Sequence, residues 1–226
     1  MFLLRYALAS ALLVPLHTLA QQPATAPPGG LVIRLEQLRN DKVIPVRPEH
    51  VFGTDDVLRF RLKSATDGFV YVVDHATSGD YTVLFPANDL AGNNAVRGET
   101  EFYVPSPEEG WFQVGGAAGF DTIYFLLSPI KLAVSSTQTR SKQQEKLPDN
   151  LLPRCNDTIF QARGECVDST AGPAVLPRGA SLPPQISTAA ANASRDLVMV
   201  NEADGNVKVT KTSDGPAVYI FRIAHK

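Results

Sequence analysis

Leu58-Arg-Phe-Arg-Leu-Lys63 alternates an apolar side chain with a basic one at every step. Successive side chains of a β-strand point to opposite faces, so this stretch predicts a strand with one face in a core and the other in solvent. A surface helix would instead repeat its apolar positions every three or four residues. We therefore expect an all-β fold organised around this strand.

Three further runs in the same part of the chain have strand character. Phe69-Val-Tyr-Val-Val73 and Tyr81-Thr-Val-Leu-Phe85 are separated by a turn-rich segment and predict a hairpin. Thr122-Ile-Tyr-Phe-Leu-Leu127 is apolar on both faces, as expected of a central strand. Most aromatic residues fall between Phe52 and Phe125, so this region is predicted to supply the core.

A second group of strand signals follows residue 196. Leu197-Val-Met-Val200, Val207-Lys-Val-Thr210 and the run 217–223 are separated by two turns. Strands this short are not stable alone, so we expect them to complete the first group's sheets. The prediction is a single immunoglobulin-like antiparallel β-sandwich over residues 31–226, with about eight strands.

Composition excludes several classes of protein. The 226 residues carry 21 Lys and Arg against 23 Asp and Glu, a net charge of −2. A nucleic-acid-binding protein usually shows a clear basic excess, so we expect no nucleic-acid partner. Two cysteines cannot supply a four-cysteine zinc site.

Residues 1–20 have the order of a secretory signal peptide. Arg5 precedes a short apolar run, and small residues stand at the positions before Gln21. The apolar run is shorter than the 20 or so residues that span a bilayer, so we expect cleavage, no stable membrane insertion, and a periplasmic or secreted protein. An uncleaved anchor is the alternative. Residues 21–30 are rich in proline and glycine and are interpreted as a flexible tether.

The stretch from about 133 to 195 has a different composition. It is rich in Ser, Thr, Gln, Pro and Ala, with Phe160 as its one aromatic residue, and we expect it to bury too little to order itself well. It contains Cys155 and Cys166, which we expect to form a disulfide in an exported chain. Reactive thiols are the alternative, although the Cys-x-x-Cys spacing is absent. The excursion is interpreted as a low-complexity insertion into the sandwich.

A series of motifs over residues 50–128 resembles a known family. The motifs, in order, are 51–60, the turn and strand 67–73, Val83-Leu-Phe-Pro86, the loop 93–100, and 119–124. Together they resemble the bacterial domain-of-unknown-function family numbered 4384. The resemblance implies an exported or envelope protein with an accessory β-domain. It carries over no catalytic residues, because the family has no established activity.

Few residues suggest chemistry of their own. His75 follows Asp74 at a strand end with Asp80 nearby, which is the best candidate for a hydrolytic site, but a polar hairpin loop explains these residues better. His50 and His225 form no metal-binding spacing with His75. The paired acids 55–56 and 108–109 are adjacent, so their side chains diverge in an extended chain. We expect no catalytic residues, no metal and no cofactor.

Trp111 and Tyr103 are the candidate ligand-binding residues. An exposed tryptophan on a β-sandwich can stack on a sugar, although core packing is the commoner role of a large aromatic residue. The predicted function is a non-catalytic binding or scaffolding module of the bacterial cell envelope, which recognises a partner through its loops. The partner would be an envelope protein or a glycan. The alternatives are a carbohydrate-binding module and, less favoured, a hydrolase.

Overall fold

The structure is a computed structural model that describes residues 29–86, 94–107, 109–134, 139–140, 152–177, 179–212 and 214–226. The predicted signal peptide and most of the predicted tether lie outside these residues. The elements in chain order are β1 (Gly30–Arg39), β2 (Lys42–Val46), β3 (Val51–Phe52), β4 (Val57–Ser64), β5 (Gly68–His75), β6 (Asp80–Phe85), β7 (Ala95–Val96), β8 (Glu101–Val104), β9 (Phe112–Gln113), β10 (Gly119–Ser128), β11 (Thr139–Arg140), α1 (Asp157–Arg163), β12 (Gly172–Ala174), β13 (Leu197–Asn201), β14 (Val207–Lys211) and β15 (Ala217–His225).

The strands form two sheets. The first has the order β13-β14-β1-β4-β8, with β2 also paired to β1 and β9 to β4. The second has the order β11-β6-β5-β10-β15-β12, with β7 paired to β5 and β3 paired parallel to β15. The strands after residue 196 therefore lie in both sheets, and the predicted hairpin is the antiparallel pair β5–β6.

The main core lies between the two sheets, where the alternation in β4 predicted it. Leu58, Phe60 and Leu62 face inward and are buried, while the basic residues between them face outward. The Phe60 ring meets the rings of Phe125 and Phe221 edge-on, with centroids 5.4 and 5.8 Å apart. Such edge-to-face aromatic contacts join the two sheets at the centre of the sandwich.

The predicted all-β sandwich is confirmed, with two differences. The described residues contain more strands than expected, because several two- or three-residue strands extend the sheet edges. They also contain α1, which apolar periodicity did not indicate. Asn156 caps its start by accepting from Ile159 N, and Gly164 ends it in the left-handed conformation at φ 71°. Both residue types favour helix ends, and Asp157 in the first turn and Arg163 in the last turn add the charges that favour a helix dipole.

The excursion contributes a third layer. The described residues between 176 and 193, beyond β12, lie against the outer face of the second sheet, where Leu176, Ile186 and Ala190 are buried against Tyr71 and Leu126. The expectation that this stretch buries too little to order itself is wrong for its described part. Its apolar residues are few and irregularly spaced, but they pack on a sheet face that is itself apolar. The second sheet is therefore covered on both faces.

No helix within the described residues has the length and apolar content needed to cross a bilayer.

Candidate functional site

The outer face of the first sheet carries both candidate aromatic residues. The guanidinium of Arg59 lies over the ring of Tyr103 and over the ring of Trp111, 4.3 Å from each centroid. Arg59 Nε also donates to Glu36 Oε2 at 2.8 Å. An arginine stacked on aromatic rings gains cation–π attraction while its edge stays free to donate hydrogen bonds.

This arrangement gives Trp111 a different position from the one a core residue would have. The Trp111 ring is half-buried on the sheet surface and does not belong to the core between the sheets. The structure brings Trp111 and Tyr103 to the same guanidinium, which covers one face of each ring. Sequence reasoning missed Arg59 as the connecting residue, although the alternation in β4 already placed it on this face.

Charged pairs occupy the rest of the same face. Lys63 pairs with Glu99 at 2.6 Å, and Arg34 pairs with Asp204 at 3.1 Å. Arg61 contacts Glu101 as well. Exposed ion pairs contribute little to stability, so this ladder defines a polar surface more than it holds the sheet together.

A second cluster lies at one end of the inner face of the second sheet. Asp74, Asp121 and His225 occupy the last inward positions of β5, β10 and β15, beyond the apolar residues that form the core. Asp121 Oδ1 accepts from Thr77 N at 2.6 Å and from Thr77 Oγ1 at 3.0 Å, and His225 Nε2 lies 3.3 Å away. The cluster closes the core with polar groups.

Asp74 is the buried carboxyl group of this cluster. Its Oδ1 is buried and has no hydrogen-bond partner among the described residues. Burial, with a smaller contribution from the nearby Asp121 carboxylate, raises the pKa of Asp74 to about 8. Both carboxyl groups line an otherwise mostly apolar cavity of about 160 Å³ between the sheets. Cavities that bind small-molecule ligands are usually larger, from about 300 Å³ upwards.

The hydrolytic candidates do not assemble as the sequence suggested. Asp74 faces the core, whereas His75 belongs to the opposite face of β5 and stacks on Tyr81 with ring centroids 4.1 Å apart. Burial lowers the pKa of His75, and the charge of Asp121 acts in the opposite direction. Asp80 accepts from Ser78 Oγ at 2.8 Å. Asp74 and His75 thus form no catalytic pair in the described arrangement.

The remaining acidic candidates have structural roles. Asp56 Oδ2 accepts from Gly53 N at 2.8 Å, and Asp55 accepts from Gln113 Nε2 at 2.9 Å. Of the other acidic pair, Glu108 lies outside the described residues. Within the described ranges, no three His, Cys, Asp or Glu side chains are grouped as metal ligands.

The disulfide between Cys155 and Cys166 is confirmed. The segment it closes, which we call the clip (residues 155–166), is attached to the sandwich at its second cysteine. Val51 N donates to Cys166 O at 2.9 Å, and Lys226 Nζ lies 3.2 Å from Cys155 Sγ. Just beyond the clip, Asp168 N donates to Glu49 O at 2.8 Å. The base of the clip is therefore fixed to the strand region near residue 50.

The clip presents α1 to solvent. This helix is described over its whole length, and it buries none of its residues. The side chain of Phe160 is 53% exposed. Helices of seven residues are unstable in isolation, so α1 depends on its two caps and on the disulfide that closes the clip. The result is an ordered, outward-facing helix with an aromatic side chain on its surface.

We expect reduction of the disulfide to expose the backbone around Arg163 to trypsin. The clip loses its covalent closure, and local opening of α1 then becomes easier. Cleavage after Arg163 should accelerate by about tenfold or more, measured by mass spectrometry of digests of oxidised and reduced protein. Cleavage after Arg97, an exposed residue in a remote loop, provides the control. Equal acceleration at both sites would contradict a local role for the disulfide.

The comparison with protein families concerns the central part of the sandwich. Residues 51–131 match the domain of unknown function DUF4384. The resemblance inferred from the sequence motifs is therefore confirmed. The DUF4384 segment runs from β3 to just beyond β10, whereas the clip and the third layer lie outside it. No curated protein and no solved structure matches the chain.

Proposed function

We propose that this protein is a non-catalytic binding or scaffolding module of the bacterial cell envelope, and that the clip is the loop that recognises a protein partner. The observation that carries the proposal is α1, an ordered helix in which no residue is fully buried and Phe160 is exposed. A fold gains little packing energy from such a helix. The order of α1 is better explained if its exposed surface becomes buried in a complex with a partner.

The chemistry of α1 suits a protein partner. Aromatic residues, phenylalanine included, are enriched at the buried core of protein–protein interfaces, where a few anchoring side chains contribute most of the binding energy. A clip closed by a disulfide loses less conformational entropy on binding than an open loop would, because its backbone is already restricted. An aromatic anchor on a restrained loop is therefore an efficient recognition element.

The proposed location rests on the signal-peptide pattern together with the disulfide. Disulfides persist in oxidising compartments such as the periplasm, so the bonded Cys155 and Cys166 are compatible with export. The partner is accordingly proposed to be an envelope protein.

Affinity capture tests the proposal. The tagged chain with its disulfide intact is incubated with envelope extract of the source cell, in parallel with Phe160→Ser. We expect a saturable protein partner that the wild-type chain retains and the variant loses, because the exposed ring supplies the anchoring contact.

The control for Phe160→Ser is Ile130→Ala, which shortens an exposed apolar side chain outside the clip. It should retain the partner. If the wild type, Phe160→Ser and Ile130→Ala all retained the same partner equally, the clip would not be the contact surface. Capture of no protein by any of them would contradict the binding function itself.

A carbohydrate-binding module is the second candidate, favoured by the position of Trp111 and Tyr103 on the outer surface of the first sheet. Trp111 is the only tryptophan in the sequence, so its fluorescence reports on this site alone. Sugar stacking on the uncovered ring faces should change the emission, whereas constant emission across a panel of envelope glycans would rule against this candidate.

A further inference from the structure

A cavity of about 290 Å³ lies where three parts of the chain meet: the hairpin β1–β2 with the loop that follows it, the turn between β13 and β14, and the C-terminal end of the clip with Val167 just beyond it. It is separate from the Arg59 stack and from the cavity beside Asp74. Its size approaches the lower end of the range in which small-molecule sites are found, about 300 Å³. Its lining residues are Gln37, Arg39, Ile44, Pro45, Val46, Arg47, His50, Glu165, Val167, Ala203, Asp204 and Gly205.

Gln37 gives the cavity wall an unsatisfied donor. The side chain is only 1% exposed, and its Oε1 accepts from Arg39 Nη2 at 3.0 Å. This bond fixes the orientation of the amide, since a reversed amide would place its NH₂ group against the guanidinium. The remaining Nε2 is buried and has no hydrogen-bond partner among the described residues. A buried donor without an acceptor is costly, and a native fold rarely keeps one without a reason.

The charges around the cavity favour an anionic group. Arg39 has no carboxylate within ion-pair distance among the described residues, so its guanidinium is free to bind one. The two acids in the lining already have partners, since Asp204 pairs with Arg34 at 3.1 Å and Glu165 lies 3.8 Å from Arg47. Arg39 therefore differs from Arg47 and from the two acids in having no oppositely charged side chain within ion-pair distance among the described residues.

Apart from the His50 ring, the rest of the lining is apolar. Ile44, Val46 and Val167 face the cavity beside the polar groups, and the exposed Ile44 side chain extends this surface outward. A ligand that matches both parts carries an anionic oxygen pair at one end and a short aliphatic group at the other. A carboxylate fits the planar fork of an arginine better than a single-atom anion does.

We propose that this cavity binds a carboxylate attached to a short aliphatic group, with Arg39 as the principal ligand-binding residue. The carboxylate oxygens accept from the Arg39 guanidinium and from Gln37 Nε2. The aliphatic group packs on Ile44, Val46 and Val167. Two sources present this chemistry, the C-terminus of a peptide and a free aliphatic acid. This ligand is distinct from the protein partner proposed for the clip, although Glu165 of the clip belongs to the cavity lining.

Calorimetric titration of the oxidised chain tests this site with three probes. N-acetyl-leucine carries a peptide-like carboxylate, N-acetyl-leucinamide has the same shape without the charge, and hexanoate is a free aliphatic acid. We expect N-acetyl-leucine to bind saturably and the amide to bind at least about tenfold more weakly, because only the carboxylate pairs with the guanidinium. Hexanoate binding of similar strength identifies a free acid as the source, and its failure identifies a peptide C-terminus.

Variants assign the contact to residues. Arg39→Gln should weaken N-acetyl-leucine binding by about tenfold, and Gln37→Met should weaken it as well. Lys42→Gln removes the same charge from the facing position of the hairpin, outside the cavity lining, and should bind as the wild type does. Arg39 is exposed, so its variant is expected to fold even if Gln37→Met does not. The proposal is overturned if neither carboxylate binds, if the amide binds equally, or if Arg39→Gln behaves like Lys42→Gln.

Discussion

Replacing Ile186 with alanine should lower the free energy of unfolding by about 3 kcal/mol, within the range measured for buried isoleucine truncations. Ile186 is 0% exposed and packs between the third layer and the second sheet. Truncation would leave a cavity there, because Tyr71 and Leu126 are held in place by their own strands. The effect is large for a residue in a proline- and alanine-rich segment without regular strands.

Chemical denaturation of the wild type and the variant measures this difference. Ile130→Ala is the matched control, since Ile130 is 61% exposed and its truncation should change stability by less than about 0.5 kcal/mol. If Ile186→Ala cost no more than Ile130→Ala, the third layer would not be packed on the sheet as described. A large difference would show that the excursion is part of the folded domain.

Replacing Asp74 with asparagine should stabilise the protein increasingly as the pH rises. The pKa of Asp74 is raised from 3.8 to about 8 in the folded state, so the folded protein holds this proton more tightly than the unfolded chain does. The contribution of the protonated carboxyl to the free energy of unfolding is fully present below pH 4 and is lost as the pH rises through 8. Asparagine does not ionise, so the variant avoids the loss.

The quantity to measure is the difference in unfolding free energy between Asp74→Asn and the wild type from pH 4 to pH 9. Ionisable groups remote from Asp74 are the same in both proteins, so their contributions to the difference largely cancel. Because each pKa unit corresponds to about 1.4 kcal/mol, the difference should grow by several kcal/mol across this window. Asp214→Asn, at an exposed position, is the control and should show a flat difference. A flat profile for Asp74→Asn would contradict the burial of an unpartnered carboxyl.

The sheets could be predicted from the sequence because local alternation specifies them. The pattern Leu58-Arg-Phe-Arg-Leu-Lys63 assigns a face to every side chain in β4, and the structure follows that assignment. The aromatic concentration before residue 126 likewise located the main core. These signals involve neighbours in sequence, which is why a single sequence is sufficient for them.

The polar cluster and the third layer could not be predicted in the same way. Asp74, Asp121 and His225 meet only because β5, β10 and β15 pair in one register, and spacing along the chain does not encode that register. Leu176 and Ile186 show no periodicity, because they pack from irregular backbone onto a preformed sheet. Extending the inward alternation of these strands to their ends is the signal that could have identified Asp121 and His225.

The outer faces of the two sheets are covered differently. The third layer covers the outer face of the second sheet, while the outer face of the first carries the Arg59 stack and a charged ladder. The clip lies outside the DUF4384 segment. Recognition through the clip would therefore leave the DUF4384 segment free to act as a common scaffold.

Hydrogen exchange of the oxidised protein, with and without its captured partner, tests the central claim most directly. We expect the partner to slow exchange at the amides of α1, around Phe160, and to leave exchange at the strand surface around Tyr103 and Trp111 unchanged. Protection confined to the Tyr103 and Trp111 surface, with α1 exchanging at its free rate, would contradict recognition through the clip.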